Sequence, residues 1–218
     1  MAISEERFKL AQAMEQDGWN QLWKNNRARQ DMAKEYWQHY IGLLKEKIDL
    51  KPSDRVLDIG CGPYGMISYL DQGQRFGLDP LMDFYLANFE MPKEVHWRAG
   101  CGEDIPYEDS FFDVVITTNT IDHTRNPQKV LSEIHRVLKE QGFLFLTVNT
   151  YSRRVKQVKA FVERIGTGDP CHPHTFIAKE VGHLIERSGF NCRPSAIMGH
   201  GRGRENRTVR GWSELQVR

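Results

Sequence analysis

No run of apolar residues in this chain is long enough to cross a bilayer. The first ten positions, which include Glu5, Glu6, Arg7 and Lys9, do not read as the apolar stretch expected of a secretory leader. The expected location is the cytoplasm, with no membrane partner. Cysteine is sparse and scattered: Cys61, Cys101, Cys171 and Cys192 form no CxxC pair, which speaks against a zinc ribbon and a disulfide framework. An excess of one charge is also lacking, since 30 basic residues face 29 acidic ones. No overall field therefore draws the chain to nucleic acid or to an anionic surface. No internal repeat stands out. With 39% apolar residues over 218 positions, one globular domain with a sizeable core is expected.

What the chain does have is a strand that breaks into glycines: Val56-Leu57-Asp58-Ile59-Gly60-Cys61-Gly62-Pro63-Tyr64-Gly65. Val56, Leu57 and Ile59 read as a buried strand. Gly60, Gly62 and Gly65 allow a tight turn and close backbone approach to a ligand. Pro63 suits the first turn of a helix, so strand, turn and helix N-terminus are expected in that order. The spacing also fits the dinucleotide fingerprint. Asp58 opposes that reading, because a pyrophosphate at this turn would meet a carboxylate. A cationic ligand without phosphate fits better, and S-adenosylmethionine, with its ammonium and sulfonium, is one.

The stretch resembles the glycine-rich motif of class I S-adenosylmethionine-dependent methyltransferases, especially those that alkylate small molecules. The resemblance runs from about Asp54 to Asn149 and more loosely to Phe190. It implies that Asp58 orients the methionine ammonium and that Gly60, Cys61 and Gly62 approach the cofactor closely. It further implies that Asp79 holds the ribose and that Pro80 and Leu81 line the adenine. Gly100-Cys101-Gly102-Glu103-Asp104-Ile105-Pro106-Tyr107 is similar to the family's adenine segment, Gly-Asp-Ala-Glu-Asp-Leu-Pro-Phe, with Cys101 where the family commonly has Asp. Gly102, Glu103 and Asp104 thereby join the cofactor residues, and Asn119 is placed beside the methionine part.

Around this motif, residues 54–150 alternate strand and helix. The expected fold is a doubly wound, Rossmann-like α/β domain, mostly parallel, with an antiparallel C-terminal strand. Arg75–Asp79, Val95–Ala99, Phe111–Thr118 and Phe143–Val148 read as its further strands, and a helix is expected from the glycine turn to about Leu70. Asn126-Pro127 opens a helix that Gly142 ends. Residues 151–165 read as a basic amphipathic helix whose charge is a solvated face. Residues 1–50 are expected to form helices, with a break near Asp17-Gly18, that cap the domain formed by 51–218. Their aromatics, Trp19, Trp23, Tyr36, Trp37 and Tyr40, would pack onto the domain and serve as a lid.

Displacement at a sulfonium methyl needs an acceptor held in line, and a hydroxyl or ammonium acceptor also needs a base. His123, after the central strand at the ligand edge, is the first candidate. His172 and His174, flanking Pro173, sit in a loop able to fold over the pocket. A metal site built from Cys171, His172 and His174 lacks a fourth ligand and fitting spacing, so no metal is expected. The function expected is methyl transfer to oxygen or nitrogen of a small molecule or sugar. The alternatives are an NAD(P)-dependent oxidoreductase and a non-catalytic partner protein. Nucleic acid through Arg153–Lys159 and Arg202–Arg210 ranks below these, and a homodimer is left open.

Overall fold

The structure, a computed structural model, describes residues 2–22, 26–165, 169, 171–199 and 209–216, with the backbone alone for 22, 26, 27, 30, 191–199 and 209–216. Trp23, residues 166–168 and the tail arginines Arg202, Arg204 and Arg207 lie outside them.

Among the described residues the centre is a seven-stranded sheet. Its strands are β1 (Arg55–Ile59), β2 (Gln74–Asp79), β3 (Val95–Ala99), β4 (Phe112–Thr118), β5 (Leu138–Thr150), β6 (Asn191–Gly199) and β7 (Val209–Gln216). Strands β3, β2, β1, β4 and β5 lie in that order and are parallel, which makes the Rossmann-like half of the sheet. Beyond β5, β7 pairs antiparallel with both β5 and β6.

Alternate strand residues face opposite layers, and two apolar cores result. Leu57, Ile59, Val115, Leu144 and Leu146 meet α4 (Pro127–Val137) and α6 (Ala178–Arg187) on one face. Val56, Val114, Ile116, Phe143 and Phe145 look the other way, towards Tyr40, Ile41 and Leu44 of α2 (Asn26–Lys45). In α4, Asn126 caps the start by accepting from the Lys129 N–H, and Pro127 follows where its missing N–H costs nothing. That helix stops at Val137 rather than continuing towards Gly142, because Leu138 pairs with Phe112 and begins β5.

The connection from β1 to β2 departs from the sequence reading. No α-helix follows the glycine turn; there is one 3-10 turn, Met66–Tyr69. A carboxylate oxygen of Asp58, fully buried, accepts from the Ile67 N–H at 3.1 Å and ties this turn down. The face left bare is covered by α2, whose Tyr40, Ile41 and Leu44 pack in one core with Met66, Ile67 and Leu70. The N-terminal segment thus fills the layer that a crossover helix would occupy.

Two other expectations change. Helix α1 (Glu5–Leu22) runs through Gly18 without a break; open space surrounds that glycine, and nothing there forces a bend. Helix α5 (Arg153–Arg164) is amphipathic, but its apolar side is not buried: Val158 is 61% and Phe161 63% exposed. A short helix, α3 (Met82–Asn88), completes the layers.

Candidate cofactor and acceptor site

In open α/β sheets, ligands gather outside the carboxyl ends of the strands. A cleft of about 500 Å³ lies there, where β1, β2 and β4 end, and it is the size of a nucleoside-containing ligand.

One end of the cleft is the glycine turn. Gly60 and Gly62 have φ of +67° and +55°, a region side chains rarely adopt. A Cβ on Gly60 would also lie 2.1 Å from Thr120 Cγ2. Thr120 crosses over the turn and donates its hydroxyl to the Ile59 carbonyl at 3.1 Å. Asp79, at the end of β2, lines the cleft with both oxygens engaged: Gly62 N–H donates to Oδ2 at 3.0 Å and Leu81 N–H to Oδ1 at 2.9 Å. Each carboxylate oxygen keeps a further lone pair, which suits a ribose diol. Cys61, Pro80, Leu81, Gly102 and Asn119 also line this space, with Asn119 held in a left-handed conformation (φ +53°) by a bond from Asn149.

Three expected contacts are altered. Asp58 does not line the cleft; it lies fully buried beneath the turn, where its second oxygen, Oδ1, has no hydrogen-bond partner among the described residues. Burial is the main cause that pushes its pKa up to about 7, and the Asp79 carboxylate adds to the rise. Asp79 is raised to about 6, again chiefly by burial. Glu103 borders the cleft but turns one oxygen to the start of α4, accepting from the Arg125 and Asn126 N–H groups at 2.6 and 3.0 Å. Asp104 is exposed and outside the cleft.

The roof comes from the N-terminus. Phe8, Gln12, Glu15 and Trp19 of α1, with Tyr36 and Trp37 of α2, complete the cleft wall. Trp19 sits edge-on to Tyr64, Tyr85 and Phe89, each 6.0 Å away by ring centroids. Trp37 Nε1–H donates to the Tyr64 carbonyl at 2.6 Å, pinning α2 to the glycine turn.

At the other end are the histidines. His123 follows β4, and His172 comes from the loop before α6; their rings lie 4.3 Å apart and both line the cleft. His172 Nδ1 lies 2.8 Å from Asp169 Oδ2. A carboxylate only accepts, so Nδ1 carries the proton and Nε2 is left for other work. His174 is not part of the cleft. Its Nε2–H donates to the Thr124 carbonyl at 2.8 Å, its backbone N–H donates to the Asp122 carbonyl, and burial holds its pKa below the usual value. It fastens the loop instead of facing an acceptor.

Sequence reasoning placed Trp19 in a lid but did not assign Thr120, Asp169 or Phe8, Gln12 and Glu15 of α1 to the site. The i, i+3 spacing of Asp169 and His172 was the available signal for one of these; the others depend on tertiary placement. Arg7 secures the same loop to α1 by donating to the Asp169 carbonyl at 2.7 Å, and Arg125 binds Glu5 at 3.0 Å.

Comparison with known proteins agrees with this geometry. Residues 57–146 match the family model described as a methyltransferase domain. A Schizosaccharomyces pombe protein named uncharacterized methyltransferase C1B3.06c is 30% identical over 110 residues, 44% of this chain and 40% of that one. The Mus musculus protein named arginine-hydroxylase NDUFAF5, mitochondrial, is 29% identical over 166 residues, 68% of this chain and 48% of that one. The chain thus spans less than half the length of these two relatives. The solved structure of Bacillus subtilis YcgJ shares the fold, with a TM-score of 0.62 at 20% identity over 75% of this chain and 73% of that one. The glycine turn, the acid closing β2 and most of β5 fall inside the matched segment, so residues 57–146 are a methyltransferase domain, similar to those that use S-adenosylmethionine.

Proposed function

We propose that the protein moves a methyl group from S-adenosylmethionine to an oxygen or nitrogen of a small molecule or sugar. One observation supports this above others: a single cleft joins a phosphate-free nucleoside cradle at Asp79 to a pair of imidazoles at His123 and His172. When bound, the cofactor supplies a methyl carbon already activated by its sulfonium. The protein's own part is then to place and to exclude. Asp79 accepts from the ribose hydroxyls, while the bare backbone of Gly60 and Gly62 lets the methionine part lie close. Asp58 sets a negative field beneath the turn without touching the ligand directly. Trp19, Tyr36 and Trp37 form a lid that keeps water from the reacting atoms. His123 and His172 meet the acceptor.

The cleft favours a small acceptor, because α1 and α2 roof it. The absence of an α-helix N-terminus at the turn removes the usual anchor for a pyrophosphate, which weakens the oxidoreductase reading. The test is a screen with cofactor labelled in the methyl group, against hydroxylated and aminated small molecules, free sugars, protein and RNA. Label in a small acceptor is the expected result. Label confined to macromolecules, or binding of NAD in preference to adenosylhomocysteine, would overturn the proposal.

A further inference from the structure

At the histidine end, one side chain has no evident purpose. Asp122 is 2% exposed, and its Oδ1 has no hydrogen-bond partner among the described residues. A buried, unpaired carboxylate oxygen is costly and calls for a cation or a donor. His123 Nε2 stands 4.0 Å from that oxygen, too far for a hydrogen bond. One ligand atom from each of Asp122, His123 and His172 lies within 4.8 Å of the others. Ligands bound to one ion at about 2.0–2.2 Å sit roughly 3–4 Å apart, so a small contraction would bring all three onto a common centre.

We propose that Asp122, His123 and His172 bind one divalent transition-metal ion, and that this ion holds an oxygen of the methyl acceptor. Two imidazoles and a carboxylate form a donor set suited to zinc, iron(II), cobalt(II) or manganese(II). Three protein ligands leave positions open, and the open side is the cleft that His123 and His172 line. The supporting bonds also fit. Asp169 takes the Nδ1 proton of His172 and so presents Nε2, the arrangement that orients metal-bound histidines generally. His174 bonds to the carbonyls of both Asp122 and Thr124, locking the His172 loop against the loop that follows β4. Sequence spacing could not reveal this set, because His172 lies far along the chain from the adjacent Asp122 and His123. It replaces the expectation of no metal, and it uses different residues from the Cys171, His172 and His174 combination.

The role in holding an acceptor rests on the proposed methyl transfer; the site itself does not. An ion here would lower the pKa of a bound hydroxyl, so that its proton leaves to solvent before the methyl group arrives. His123 would then serve as a ligand and not as a base.

The experiment uses the full chain, stripped with chelator and titrated with cobalt(II) while the visible d–d absorption is followed, with zinc(II) calorimetry alongside. One ion per chain is expected. Asp122→Asn, His123→Ala and His172→Ala should each weaken binding at least tenfold, while His183→Ala, an exposed histidine on α6, should change it less than twofold. Adenosylhomocysteine affinity, measured on the same samples, reports whether each variant is folded. No stoichiometric binding by the folded wild-type chain would overturn the proposal, as would equal affinity in all the variants. Full methyl transfer in excess chelator would remove the metal's role and leave the proposed function standing.

Discussion

Asp79 is a scaffold and, under the proposed function, a receptor as well. Its oxygens fix the Gly62 and Leu81 N–H groups and still offer lone pairs to the cleft. Asp79→Ala is therefore expected to weaken adenosylhomocysteine binding by more than about 1 kcal/mol, roughly fivefold or more, as read by calorimetry. Gly60→Ala should be worse than its size suggests: the new methyl would meet Thr120 while the backbone holds φ at +67°. Loss of cofactor binding, with a lower melting temperature, is the outcome to look for. His123→Ala should cut turnover while adenosylhomocysteine affinity stays within about twofold, since the ring lies at the acceptor end; full activity would remove it from the site. Asp58 adds a pH signature. Its pKa of about 7 means that it is partly protonated near neutrality. A cationic ligand prefers the ionised form, so affinity for the cofactor should rise as pH climbs through about 7 and then level off. A flat profile from pH 5.5 to 8.5 would show that the ligand does not sense this carboxylate.

Among the elements, α1 is the one whose removal tells most. It supplies Phe8, Gln12, Glu15 and Trp19 to the cleft, yet the layer beneath belongs to α2. Deleting residues 1–22 is expected to leave a folded sheet while raising the dissociation constant for adenosylhomocysteine at least tenfold. Unchanged binding would reduce α1 to packing. The parallel strands were legible in the sequence because each is a short apolar run bounded by turn residues, and Gly60 with Gly62 marked the turn directly. The 3-10 turn was not. Pro63 suits a helix start by local rule, but α2 already occupies the space such a helix would fill, and local pattern carries no information about a segment packed from elsewhere. The same limit hid Asp122, whose importance rests on a loop that arrives late in the chain. Asp104 was misjudged as well: of the two adjacent acids on the turn, Glu103 is buried and Asp104 exposed.

For the whole molecule, the buried acids set opposing pH limits. Asp58 and Asp79 have folded-state pKa values raised to about 7 and about 6 from 3.8, so the folded state holds extra protons. Their contribution to stability is full below the unfolded value and is lost as pH rises through about 6 and about 7. Glu133 behaves in the reverse sense. Bonds from Arg136 above all, then Lys129 and the Ile105 N–H, lower it to about 2, so its contribution is present above 4.5 and is lost as pH falls towards 2. On these three groups the ligand-free protein should melt highest near about pH 4 and lose stability as pH rises from there to about 7, and adenosylhomocysteine should recover part of the loss at pH 8. A melting temperature that rises steadily from pH 5 to 8 without ligand would contradict this. The single 3-10 turn after β1 bears on a wider problem, that of telling one adenosine compound from the many others in a cell. ATP and the nicotinamide dinucleotides share the base and the sugar but arrive carrying several negative charges. Here they would find two buried acids and no α-helix N-terminus to neutralise them. Selectivity against the most abundant competitors would then follow from a missing helix, before any contact with the methyl group or its destination is made.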